Sequence, residues 1–117
     1  MSESKLRTQS MDFAVSIIRL VKILKDKRET IISNQIGRSG TSIGANIREA
    51  QYARGKSDFI AKLQIALKEA NETGYWLDLL QRTGYLTMES YRNLDAQCTS
   101  LRAMLIASLN TAKKNRE

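Results

Sequence analysis

Gln35 to Tyr52 reads Q-I-G-R-S-G-T-S-I-G-A-N-I-R-E-A-Q-Y. At about 100° per residue, Ile32, Ile36, Ile43, Ile47 and Ala50 fall on one apolar stripe, the pattern of a helix packed on a core. Gln35, Arg38, Ser42, Asn46 and Glu49 recur at four- and three-residue spacings and form a polar row at the margin of that stripe. The far side holds the small residues Gly37, Gly40, Gly44 and Ala45. Each glycine costs about 1 kcal/mol of helix propensity relative to alanine, so some contact must offset them. The helix is therefore expected to be touched on more than one side, with Gly37, Gly40 and Gly44 as candidate oligomer-interface positions.

Three further helices surround this one. The chain holds no proline, which leaves its six glycines as the main punctuation. The first helix is expected from about Ser10, as N-cap, to Lys25, with Phe13, Ile17, Leu20, Val21 and Leu24 on its apolar face. A short charged connection from Lys25 to Thr30 leads into the central helix, which Gly55 is expected to end. The third helix is predicted from Ser57, its cap, to Thr83, with Gly84 as the stop signal. Phe59, Leu63, Ala66, Leu67, Ala70, Gly74 and Leu77 mark its core stripe, while Ile65, Trp76 and Leu79 fall on another side and are candidate interface residues. Thr87 can cap a fourth helix whose seam is Tyr91, Leu94, Cys98, Leu101 and Leu105, followed by a basic tail expected to fray. Short connections place successive helices antiparallel, so the predicted fold is all-α, a single domain over residues 1–117 in the form of an up-down-up-down four-helix bundle.

At 117 residues the chain is long enough to bury about two thirds of its unfolded surface. Cys98 is the one cysteine and falls on an apolar stripe, which suits a small buried hydrophobe. Histidine is absent, and with it the commonest metal ligand and the usual proton-transfer group near neutral pH. Clustered carboxylates in a bundle suggest di-iron sites, but those use two Glu-x-x-His pairs, so neither metal nor cofactor is expected. The run G-R-S-G-T-S-I-G superficially resembles a phosphate loop, yet it lies in a helical pattern and lacks the Gly-Lys-Ser/Thr ending. No activated nucleophile or acid–base pair is visible, and the chain reads as non-enzymatic. No apolar run approaches the roughly 20 residues that span a bilayer, and the amino terminus lacks a signal-peptide core, so a cytoplasmic protein without membrane contact is expected.

Two runs carry a family resemblance. The core R-S-x-x-S-I-x-x-N-I-x-E, from Arg38 to Glu49, and the run A-x-x-E-A-x-E-T-x-Y-W-L, from Ala66 to Leu77 within Phe59 to Leu80, resemble the four-helix bundle proteins encoded in intervening sequences of bacterial 23S ribosomal RNA genes. The likeness covers nearly the whole chain, although many relatives have glycine where this chain has Ala50. It implies a left-handed antiparallel bundle, assembly into a homo-oligomeric ring that is a pentamer, and no enzymatic activity. One related group, the accessory variability determinants of diversity-generating retroelements, implies possible partners in a reverse transcriptase and nucleic acid.

The polar row favours a structural network, in which Arg38, Ser39, Ser42, Asn46 and Glu49 find partners in Glu69 or Glu72. The formal net charge of +7 favours an acidic partner. Candidate phosphate contacts are Lys22, Lys25, Lys27 and Arg28, then Arg48, Arg54 and Lys56, and finally Lys113, Lys114 and Arg116. In an antiparallel bundle the second and third clusters share one end and the first lies at the other. Tyr52, Tyr75 and Tyr85 are placed either to stack on bases or to complete packing. Two classes stay open: an oligomeric adaptor that binds RNA or DNA through phosphates without reading sequence, and a self-assembling protein-interaction scaffold whose charge maintains solubility.

Overall fold

Apolar spacing carries the outer helices further than their expected caps. The computed structural model describes residues 2–116, with side chains for residues 5–115. It contains α1 (Ser2–Asp26), α2 (Ile31–Gln51), α3 (Lys56–Arg82) and α4 (Met88–Arg116). Leu6, 1 % exposed, continues the stripe of Phe13, Ile17, Leu20 and Leu24 by two more steps through Ser10, and neither proline nor glycine interrupts it. Helix α1 therefore begins at Ser2 and not at Ser10. Ser10 lies buried inside it, with its Oγ donating to the Arg7 carbonyl at 3.1 Å. Leu109 and Ala112 likewise extend the buried seam of α4, so the basic tail is helical through Arg116 where fraying was expected.

The connections follow backbone chemistry. Helix α2 stops at Gln51, and Gly55, at φ 108°, is the N-cap of α3 and not the end of α2. Ser57 falls within the first turn of α3 and is not its cap. Thr87 does cap α4, its Oγ1 accepting the Ser90 N–H at 3.1 Å. Helix α3 ends in a Schellman motif: Gly84 has φ 83°, and the Tyr85 N–H reaches back to the Leu80 carbonyl at 2.9 Å. Helix α1 ends the same way with Arg28 at φ 62° and the Glu29 N–H on the Leu24 carbonyl at 2.9 Å. Glu29 then turns its carboxylate onto the amino end of α2, accepting the Ser33 N–H at 2.8 Å.

Each helix packs on its neighbours in sequence, and α4 closes against α1. Pairings run in opposite directions along every seam. Arg7 meets Gln51 while Val21 faces Gly37 across α1–α2, and Ser39 meets Thr73 across α2–α3. Cys98 meets Ala70 across α3–α4, and Ser100 meets Gln9 across α4–α1. The result is the antiparallel four-helix arrangement the spacing predicts. Its centre is the Phe13, Ile17, Ile36, Ile43, Leu77, Leu101 and Leu105 cluster, all with no more than 1 % exposure.

A helix in such a square touches two neighbours, so α2 needs two packing faces. The isoleucine stripe is one, and the glycines are the other. A Cβ built on Gly40 would stand 2.9 Å from both Cγ atoms of buried Ile17, and one on Gly37 would stand 3.3 Å from Val21 Cγ2. One on Gly44 would stand 3.3 Å from Ser10 Oγ. The close approach that Gly37, Gly40 and Gly44 serve is thus intramolecular, with α1 as the helix they admit. Gly74 differs, because nothing lies within 4 Å of its would-be Cβ. Urea unfolding should therefore separate two chemically identical changes. Gly74→Ala should raise stability by about 0.5–1 kcal/mol, whereas overpacking against Ile17 should make Gly40→Ala destabilising by about 1 kcal/mol or more.

Candidate nucleic-acid interface

Antiparallel packing gathers the amino end of α1, the α2–α3 turn and the carboxyl end of α4 at one pole. Arg48, Arg54, Lys56, Lys113 and Lys114 are exposed there, joined by Lys5 and Arg7 of α1. Arg7 Nη1 donates to Gln51 Oε1 at 3.4 Å across the α1–α2 seam. The carboxylates of the same segments, among the described residues, are Glu49 and Asp58. Lys22, Lys25, Lys27 and Arg28 are exposed at the opposite pole together with Arg82 and Arg92, where Asp26, Glu89 and Asp95 intersperse with them, Asp78 pairs with Arg82 at 3.0 Å, and Glu29 is committed to capping α2. The Arg116 side chain lies outside the described residues. The predicted clusters therefore separate by pole, and the poles differ in charge balance. The position of Lys5 and Arg7 escaped the sequence reading because α1 was expected to start at Ser10. Leu6, spaced to continue the stripe through Ser10, was the available signal.

The structural network forms in two parts. Arg38 spans α2 to α3, its Nη1 donating to Glu69 Oε2 at 2.9 Å and its Nη2 to Glu72 Oε2. Trp76 Nε1 also donates to Glu72 Oε2, at 3.0 Å. The indole N–H and then the guanidinium hold the Glu72 carboxyl below its ordinary range. The Arg38 side chain is 49 % exposed, so the cluster is a solvent-facing clamp worth about 1 kcal/mol or less. The buried part is a hydroxyl pair: Thr73 Oγ1 and Ser39 Oγ lie 2.8 Å apart, both residues fully enclosed. Thr73 was missed as a partner, although it sits at the next turn from Glu69 on the same face. Ser42 and Asn46 bond backward within α2, to the carbonyls of Arg38 and Ser42 at 2.6 and 2.9 Å. Glu49 is exposed and lines a groove of about 570 Å³ between α1 and α2, together with Arg7, Met11 and Arg48.

The candidate interface residues on α3 divide similarly. Ile65 is 42 % exposed, whereas Trp76 and Leu79 are half-buried against the chain's own core. Of the tyrosines, Tyr52 is 73 % exposed at the basic pole. Tyr75 stands edge-on to Trp76 with ring centroids 4.9 Å apart, and Tyr85 packs against the core near the other pole. Cys98 is buried, donates to the Ala70 carbonyl at 3.3 Å, and has its thiol pushed up to about 11 by burial.

The family model described as 23S rRNA-intervening sequence protein matches residues 2–107. The chain is also similar to a crystal structure from Bacteroides thetaiotaomicron, a protein with unknown function from the S23 ribosomal protein family. The two are 50 % identical, with a TM-score of 0.92, over 94 % of this chain and 99 % of the other. No curated protein matches the chain. Among the described residues, no helix is long and apolar enough to cross a membrane.

Two outcomes test this account of the interior. Thr73→Val should cost about 1–2 kcal/mol by leaving the buried Ser39 hydroxyl with a poorer partner, and Ser39→Ala added to it should recover part of that loss in chemical unfolding. Burial of Cys98 raises its pKa in the folded state, so its contribution to stability is complete below the unfolded thiol value and is lost as pH rises toward about 11. The thiol should accordingly resist alkylation at pH 8 until denaturant is added.

Proposed function

The chain belongs to the 23S rRNA-intervening sequence protein family, and from that premise we propose that it is a non-enzymatic, basic, self-associating bundle that holds nucleic acid by phosphate contacts. The observation that carries this reading is the pole where Arg48, Arg54, Lys56, Lys113 and Lys114 face solvent with only Glu49 and Asp58 beside them among the described residues. Such a pole attracts a polyanion without reading its sequence and releases counterions on binding, which makes the affinity fall steeply with salt. The bundle is 49 Å long, several Debye lengths at physiological salt, so the mixed charge of the opposite pole neither adds to nor cancels this attraction. Repetition of the pole in a homo-oligomer, a pentamer by family likeness, would multiply weak contacts into avidity.

A second reading, a self-assembling scaffold that binds no nucleic acid, draws on one observation. Met11, Val15 and Ile18, at four- and three-residue spacing on α1, are 49, 42 and 43 % exposed, an apolar row suited to contact with another copy. Fluorescence anisotropy with labelled RNA over a salt series, on protein of native mass greater than one subunit, separates the two. The Arg54→Glu/Lys56→Glu/Lys113→Glu/Lys114→Glu variant should bind far more weakly at physiological salt and, where low salt makes its binding measurable, show a log–log salt slope flattened by about 0.7 per phosphate contact removed from a single strand. The Lys25→Glu/Lys27→Glu/Arg28→Glu variant should retain binding at physiological salt. An oligomer that binds nothing at moderate salt favours the scaffold.

A further inference from the structure

The basic pole is hollowed, and the hollow has a particular lining. One depression of about 380 Å³ lies against the α2–α3 turn, and another of about 280 Å³ runs between α3 and the last turns of α4. Lys56 and Phe59 line both, so the two meet at those side chains. Beyond Phe59 the lining includes Ser108, Thr111 and Asn115, short side chains that both donate and accept hydrogen bonds. Tyr52 stands in the same turn with 73 % of its surface open to solvent, and Arg54 follows it. Lys113 and Lys114 flank the α4 side.

We propose that this channel is a binding site for single-stranded RNA. Phosphates lie along Lys56 in the hollow and the exposed Arg54 and Lys113 outside its lining, and bases stack on Phe59 within it and on Tyr52 in the adjoining turn. Such a site rests on the nucleic-acid reading above and narrows the polyanion to one strand. Cations alone attract any polyanion, but aromatic side chains beside them gain energy only from bases that are unstacked, which a duplex does not offer. The hydroxyl and amide lining on the α4 side supplies partners of both kinds for the 2′-hydroxyl, the group that distinguishes RNA from DNA at a fixed site. Among the described residues of these segments the carboxylates are Asp58 and Glu49; both are exposed, and neither lines the two depressions.

The test is anisotropy of fluorescein-labelled oligouridylate, the matching oligothymidylate, and an oligoadenylate–oligouridylate duplex, with wild-type protein and with Tyr52→Ala and Phe59→Leu. Tyr52 is exposed, so its variant tests stacking without disturbing the core, while leucine at half-buried Phe59 keeps an apolar group over the core. Wild-type protein should prefer oligouridylate to both other probes, and each variant should weaken oligouridylate binding about tenfold with duplex binding unchanged. Unchanged oligouridylate affinity in both variants, or duplex bound as tightly as single strand, overturns the channel while leaving phosphate binding at the pole intact. Equal affinity for oligothymidylate overturns the assignment to RNA. Absence of binding to every probe removes the nucleic-acid reading itself, and this inference with it.

Discussion

At Gly40 the α2 backbone meets the branched side chain of Ile17 with no Cβ between them, and that approach fixes where α1 lies. The consequence reaches the whole bundle. With α1 seated on the glycine face, the isoleucine stripe of α2 is left to meet the core, and Arg38 and Ser39 beside it turn toward α3. Arg38 then reaches Glu69 and Glu72, and Ser39 meets Thr73. Glycines that are unfavourable for an isolated helix thus become favourable through tertiary contact, which is why three of them persist inside one α-helix.

The same geometry arranges charge. Antiparallel helices alternate their ends, so the start of α1, the end of α2, the start of α3 and the end of α4 must share a pole. In this chain those segments carry Lys5, Arg7, Arg48, Arg54, Lys56, Lys113 and Lys114. The first and last of these reach the pole only because α1 and α4 are longer than their local capping signals suggest. Length and charge are therefore coupled: the buried positions Leu6, Leu109 and Ala112 extend the core and, in doing so, carry cations to the end of the bundle.

Much of this was legible in the sequence, and the misses have physical causes. The helix count, the isoleucine stripe, the Thr87 cap and the Gly84 stop depend on local rules and are found where those rules put them. Ser10 misled because a serine in an apolar pattern satisfies the capping rule as readily as a mid-helix position bonded to its own backbone, and only tertiary packing distinguishes the two; Ser57 misled because α3 already begins at Lys56, with Gly55 in the cap position. The glycine face was correctly read as a contact surface, but periodicity cannot say whether the contacting helix belongs to the same chain. Trp76 shows the same ambiguity: it lies off the principal stripe yet packs against the core, with its N–H on Glu72. Which residues of a pole line a hollow is set by relative helix ends, and no single-helix pattern encodes that.

The most direct test of the central claim is photochemical crosslinking of 4-thiouridine-substituted RNA to the wild-type oligomer, followed by peptide mapping. Adducts should fall in the segments 52–59 and 108–115, at the pole where the cations and the hollow coincide. Adducts confined to the segment 22–28, at the opposite pole, would contradict the account.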